Sequence, residues 1–452
     1  MFARKMRNLF NPQNFYEVQQ PILKVTFITG MTPFTIVREE PNVAGLRCTA
    51  FGYLNSTVHI VFFCVCYVMA LIQKESVTRY FFQTEISTLG DILQVMTGLV
   101  ALVLTFFYTI FQRNKLIHAF NLLANTDEQF QNIGFEINYK STLLYNYFII
   151  TVQILILGIN CGISIGVTQF STIHPSFTAW VSFFLPFIMI TLVICLFVCL
   201  VQQARYRFYM LNRILATLRH ASLEKKILSQ DDKPTTVQVM KIQKPLGISA
   251  KYSNSNRYLL DVINKIARIQ DELCEACCFV EEYFKIQMLA IVTISFLIVV
   301  FDSYYILEML FTQTYVHTVF SKIQFVMYFL CQAIVQVVGV FKIVFFSSLA
   351  KKENDKIAVN VHKLINVNNY DDDVVKQLSN LSLQLTHRKV SFTAYGLFNL
   401  DFTLLFTLTG AATTYLVILV QFTINQNELC GPKLINSTIA SLAKNASLFQ
   451  ND

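Results

Sequence analysis

Seven blocks of apolar residues, at 50–73, 86–112, 143–169, 177–201, 286–310, 323–346 and 400–422, set the terms for this chain. Each reaches the roughly 20 residues that an α-helix needs to cross the hydrocarbon of a bilayer. In lipid every backbone amide and carbonyl must be bonded within the protein, which leaves helices as the economical form for such blocks. The blocks therefore predict an all-α membrane protein with seven transmembrane helices. Composition agrees, since charged residues make up 14% of the chain against about 25% in a soluble domain.

The basic residues between the blocks predict an orientation. Six Lys and Arg lie in 1–49, three between the second and third blocks, thirteen in 202–284 and seven in 347–399, which is 29 of the 36. Five lie in the alternate segments, and Lys285 and Lys342 sit at block ends where they can snorkel. Cytosolic loops carry such an excess. The N-terminus is therefore expected inside and the C-terminus outside. The net charge of +8 reads as this orientation signal, and no nucleic acid is expected as a partner. No signal peptide is apparent in the first forty residues.

The segments expected in the cytosol are not simple loops. Leu211, Ile214, Leu215 and Leu218 share one helical face beyond the fourth block. Leu259, Val262, Ile263, Ile266 and Ile269 do the same ahead of the fifth, and 374–389 is amphipathic. Long cytosolic helix extensions are expected there, packed together below the membrane, with a mobile polar loop at about 223–256. The chain thus divides into a cytosolic segment at 1–49, helices one to four at 50–201, extensions and loop at 202–285, helices five and six at 286–346, further cytosolic helices at 347–399, the seventh helix at 400–422 and an outer tail at 423–452.

Several chemistries are excluded. No P-loop, H-E-x-x-H or nucleophile elbow is found, so no enzyme is expected. Cys274, Cys277 and Cys278 form a C-x-x-C-C cluster without a second ligand pair, which favours helix packing over zinc. No metal or cofactor is expected. Asn436 and Asn445 head glycosylation sequons in the tail. A G-protein-coupled receptor needs the opposite orientation, and D-R-Y and N-P-x-x-Y are missing at the expected ends of spans three and seven.

The last block carries the most specific signal. Thr414-Tyr415 is followed by five apolar residues and then Gln421-Phe422. That run, with Gly396, Phe398 and Asp401 upstream, resembles the signature of insect gustatory receptors. HRKVSFTAYGLFNLD (387–401), FFQTEIS (81–87), HPSF (174–177) and FDSYYILE (301–308) resemble the gustatory receptor twenty-eight lineage within it. The resemblance implies a ligand-gated, non-selective cation channel in the plasma membrane of sensory neurons, built as a homotetramer or heterotetramer. It further implies a central pore lined by the last helix, an anchor made of the cytosolic helices, and a small-molecule pocket in the outer half of spans two to six. Ile418, Gln421 and Phe422 would form the gate. Bitter compounds or nucleosides are the implied ligands, with heat or light as the alternative stimulus.

Residue spacing is compatible with that gate, because Ile418, Gln421 and Phe422 lie three and four apart on one helical stripe. A packed helix interface would use the same spacing. Asp302, Tyr305 and Glu308 near the outer end of the fifth block are candidates for ligand contact, since ionisable groups at membrane depth usually face a cavity or a partner. Trp180 is a further candidate, although Trp also anchors helices at the interface.

Overall fold

The computed structural model describes residues 11–39, 43–73, 85–169, 175–230, 256–311, 322–367 and 370–422. Tail residues Asn436 and Asn445, residues 231–255 of the polar loop and the N-terminal ten residues lie outside that set. Ten helices are described, seven of them long and apolar enough to cross a membrane. Helix α1 (Phe15–Ile28) is followed by strands β1 (Phe34–Glu39) and β2 (Val43–Cys48), then α2 (Ala50–Ile72), α3 (Glu85–Phe111), α4 (Arg113–Ile133) and α5 (Tyr139–Gln169). Next come the long helices α6 (Phe177–Gln230), α7 (Asn256–Phe311) and α8 (Lys322–Ile365), then α9 (Asp372–His387), the two-residue strands β3 (Thr393–Ala394) and β4 (Phe398–Asn399), and α10 (Phe402–Phe422). The spans are α2, α3, α5, α6, α7, α8 and α10, matching the seven apolar blocks.

Two hairpins, helix α1 and helix α4 were not expected. Strands β1 and β2 pair antiparallel, with Phe34 opposite Cys48 and Ile36 opposite Leu46. Alternation of Phe34 and Ile36 toward the core, with Leu46 beside them, stabilises a hairpin in a segment too short for a helix. Strands β3 and β4 form a second small hairpin. Helix α4 is polar overall, but it buries Leu116, Ala119, Phe120, Leu123 and Phe130 completely on one face.

The helix extensions project to one pole and pack there. Leu211, Ile214, Leu215, Ile263, Ile266 and Ile269 are completely buried and Val262 nearly so. Hydrogen bonds tie the elements laterally. Gln129 on α4 donates to Glu272 on α7 at 2.7 Å, Asn212 on α6 to the Glu353 carbonyl on α8 at 2.8 Å, and Gln384 on α9 to the Ala267 carbonyl on α7 at 2.9 Å. Cys274 belongs to this packing. Its sulfur lies 3.0 Å from the Gln270 amide, and burial pushes the thiol up to about 12.

A buried ion pair joins the extension of α6 to α4. Arg207 on α6 meets Asp127 on α4 in a bidentate arrangement at 2.7 and 2.8 Å, with the two side chains 1% and 5% exposed. The Tyr139 hydroxyl donates to Asp127 at 3.0 Å. The Gln203 carbonyl accepts from Arg207 at 2.9 Å, and the Phe15 ring lies 4.9 Å beneath the guanidinium. Removing one partner of such a pair leaves an uncompensated charge and costs about 3–5 kcal/mol, whereas replacing both with apolar groups is far milder.

Helix α7 contains neither glycine nor proline along its 56 residues. It runs from the extension pole through the membrane without a sequence feature that would kink it.

Asp127→Ala is expected to destabilise the detergent-solubilised protein by about 3–5 kcal/mol, read as a fall in thermal midpoint. Asp127→Leu combined with Arg207→Met should recover most of the loss. A double variant as unstable as the single one would show that the pair is not what holds α4 to α6.

Candidate functional site

The span helices differ sharply in how much of each the chain covers. In α6, 72% of the apolar window is buried, while in α10 the figure is 6%. The other weakly covered spans, α2, α3 and α5, still bury 22–33% of theirs, so α10 presents more of its surface to its surroundings than any other span.

Helix α10 has two unlike faces. Leu404, Leu405, Leu408, Leu416, Leu419 and Val420 pack against the core. At about 100° per residue these lie on one side. On the opposite side run Thr403, Thr407, Gly410, Thr414 and Gln421, all exposed, with Ile418 at the edge of the stripe at 40% exposure. Phe422 is 59% exposed and lies at the flank. The stripe from Thr403 to Gln421 covers about 27 Å, close to the hydrocarbon thickness. Thr407 and Thr414 satisfy their hydroxyls on their own helix, donating to the carbonyls four residues back at 3.0 Å. The family-type motif residues thus divide. Thr414, Gln421 and the adjoining Ile418 are exposed on the side away from the core, while the Tyr415 ring meets Phe296 on α7 edge-on at 5.9 Å. The threonine repeat was legible as a four- and seven-residue spacing, but it was not singled out from the sequence.

The inward face of α10 rests on an aromatic cluster. Phe301, Tyr304 and Tyr305 on α7 and Phe325, Tyr328 and Phe329 on α8 are buried together, and Leu416, Leu419 and Val420 pack onto them. Trp180 and Phe183 from the start of α6 complete the cluster. Trp180 stacks on Phe184 at 5.1 Å. Gly90 on α3 lets this cluster close, because a Cβ there would fall 2.6 Å from the Phe301 ring and closer still to the Tyr305 hydroxyl.

Asp302 is completely buried next to these rings. Both its carboxylate oxygens lack a hydrogen bond of good geometry. The polar group beside them is the Gln94 amide on α3, whose Nε2 is likewise unbonded. Glu308, two turns further on, is half-buried. Of the four sequence candidates, Trp180 and Tyr305 share one cluster, Asp302 is buried beside it, and Glu308 lies further along α7.

The joint between α9 and α10 is clamped by α7. Strands β3 and β4 turn through Tyr395 and Gly396, both in the left-handed region at φ 55° and 74°. A left-handed Tyr is uncommon and needs surrounding contacts to hold it. Glu281 on α7 supplies them, accepting from the Thr393 amide at 3.1 Å and from the Thr393 hydroxyl. That hydroxyl oxygen also accepts from the Gly396 amide at 3.1 Å, and the Lys285 ammonium lies 5.6 Å over the Tyr395 ring. Burial pushes the Glu281 carboxyl upward from its ordinary value, and the two Thr393 donors pull it back. Asp401 then caps α10, accepting from the Thr403 amide at 3.0 Å. Glu281 and Asp302 stand 21 residues apart on one helix, about 32 Å, so α7 touches both the aromatic cluster and the base of α10.

Seven apolar spans, long extensions at one pole and a largely uncovered last helix describe a multi-pass membrane protein. A family model for 7tm chemosensory receptors matches residues 19–426, and the chain belongs to that family. It is 31% identical to gustatory receptor 28b of Drosophila melanogaster over 93% of this chain and 89% of that protein. It is 34% identical to gustatory receptor 28a of the same organism over 90% and 92%. Among solved structures, the insect olfactory receptor OR5 from Machilis hrabei superposes with a TM-score of 0.59 at 12% identity, covering 89% of this chain and 97% of that one. The same receptor in complex with eugenol gives 0.54 at 13% identity, covering 90% and 99%. The chain is a receptor of this family and not an enzyme.

Glu281→Ala removes the acceptor shared by two Thr393 donors. A hydrogen bond to a charged group is worth about 1.5–3 kcal/mol, so amide exchange across 393–400 should speed at least tenfold by hydrogen–deuterium mass spectrometry. Unchanged protection there would mean that the hairpin holds itself.

Proposed function

We propose that this chain is one subunit of a ligand-gated, non-selective cation channel that serves as a gustatory receptor for small molecules. The channel is a homotetramer or a heterotetramer with related receptors, in the plasma membrane of sensory neurons. Its N-terminus and extension pole lie in the cytosol and its tail outside, as the excess of basic residues at that pole favours.

One observation carries the reading. A polar stripe of Thr403, Thr407, Gly410, Thr414 and Gln421 runs the length of a helix that this subunit leaves uncovered. A primary amide in hydrocarbon costs several kcal/mol unless it finds a partner. Several copies of α10 around an axis give that stripe water, with Ile418 and Phe422 as an apolar collar that closes by dewetting. The core-facing side of the same helix leans on the aromatic cluster, so rearrangement of the cluster reaches the collar through one layer of side chains.

The ligand pocket of this reading is the aromatic cluster with Trp180, Asp302, Tyr305 and Glu308. A buried carboxylate beside a buried amide, both unsatisfied, favours a ligand that brings hydrogen-bond donors and a flat apolar body. Bitter compounds and nucleosides both fit that description.

Ile418→Ala together with Phe422→Ala widens and wets the collar. The expected result is a basal leak in expressing cells without stimulus, recorded by whole-cell current at matched surface levels. Closed-state conductance equal to the parent would count against the collar. Asp302→Asn should move the half-maximal stimulus concentration at least fivefold without changing unitary conductance. An identical dose response would remove Asp302 from the pocket.

A further inference from the structure

Away from the aromatic cluster, α5, α6 and α8 leave a crevice of about 110 Å³. Phe148, Val152, Ile194, Val198 and Phe346 make it apolar, and the Lys342 side chain lines it. The outer rim is lipid-facing, since Phe148 and Phe341 are 64% and 45% exposed. The Lys342 ammonium donates to the neutral Gln153 amide oxygen. Among the described residues no carboxylate lies within ion-pairing distance of it. Arg205 on α6 lies close enough to interact electrostatically with Tyr145, which also lines the crevice, and the partner of its Nη1 is the neutral Gln202 at 3.1 Å.

Depth matters here. Helix α8 enters the apolar span at Lys322, and twenty residues of helix bring Lys342 about 30 Å further, the thickness of the hydrocarbon. Lys351 and Lys352 lie exposed beyond it. Lys342 is thus at the headgroup level of the leaflet on the extension side. Lys342 at that level and Arg205 just past the end of its own apolar block, neither with an acidic partner among the described residues, flank an apolar slot open to lipid and are complementary to a negatively charged headgroup with an acyl chain.

We propose that this crevice binds an anionic phospholipid of the leaflet on the extension side. Its phosphate sits between Lys342 and Arg205 beside the Tyr145 hydroxyl, and one acyl chain lies along Phe148, Val152 and Val198. Assignment to the cytosolic leaflet rests on the orientation argued under the proposed function. The binding does not.

The test uses the full chain purified in detergent, exchanged into nanodiscs of phosphatidylcholine with or without phosphatidylserine, and weighed by native mass spectrometry. Phosphatidylserine should be retained in preference to phosphatidylcholine. Lys342→Gln with Arg205→Gln should cut its retention at least fivefold, while Lys351→Gln should leave it unchanged. Val152→Trp fills the slot with both cations in place, is read in parallel, and should give the same loss. Excess inorganic phosphate should not displace the lipid. Equal retention of the two lipids, indifference to both the charge and the filling variants, or displacement by phosphate alone would overturn the site. No channel current is read, so failure here is separate from failure of the channel assignment.

Discussion

Hydrocarbon offers no hydrogen-bond partner, and every part of this structure answers to that constraint. It makes the seven apolar blocks helical. It turns the hydroxyls of Thr407 and Thr414 back onto their own carbonyls. It makes an exposed Gln421 on a lone helix untenable unless water or another chain stands against it. The same rule marks the polar groups that find no good partner at membrane depth, Asp302 with Gln94 among the aromatic rings, and the Lys342 ammonium, whose bond in the crevice between α5, α6 and α8 is to a neutral amide.

The extension pole obeys different physics. It meets water, so its order comes from amphipathic packing and from buried polar links with matched partners. The Arg207–Asp127 pair is the strongest of these, because it gathers α1, α4, α6 and the first residue of α5 around one guanidinium. Its desolvation is offset by two charge-assisted bonds, a tyrosine donor and a ring face. Glu281 does comparable work at the joint below α10, where one carboxylate oxygen holds a hairpin in a strained turn.

The spans and the extension helices were legible in the sequence because their signals are local. Leu211, Ile214, Leu215 and Leu218 declare a buried face by spacing alone, and the apolar blocks declare themselves by length. Helix α4 is hard to read because its polar residues mask the Leu116-Phe120-Leu123 stripe. The first hairpin is hard to read because six-residue strands carry little pattern. The candidate site was legible in part. Ile418, Gln421 and Phe422 stood out by motif, and Asp302 by being an acid at depth. The Glu281–Thr393 clamp joins residues 112 apart, the Asp302–Gln94 juxtaposition crosses two helices, and no local period announces such pairs.

The unbroken length of α7 has a mechanical consequence. A stiff rod of 56 residues is about 84 Å long. One degree of tilt about one end sweeps the other by about 1.5 Å, comparable with the 1–2 Å helix shifts that distinguish switching states elsewhere. A stimulus that rocked α7 about its Phe311 end would therefore arrive at its Asn256 end already magnified, without a relay of small steps in between.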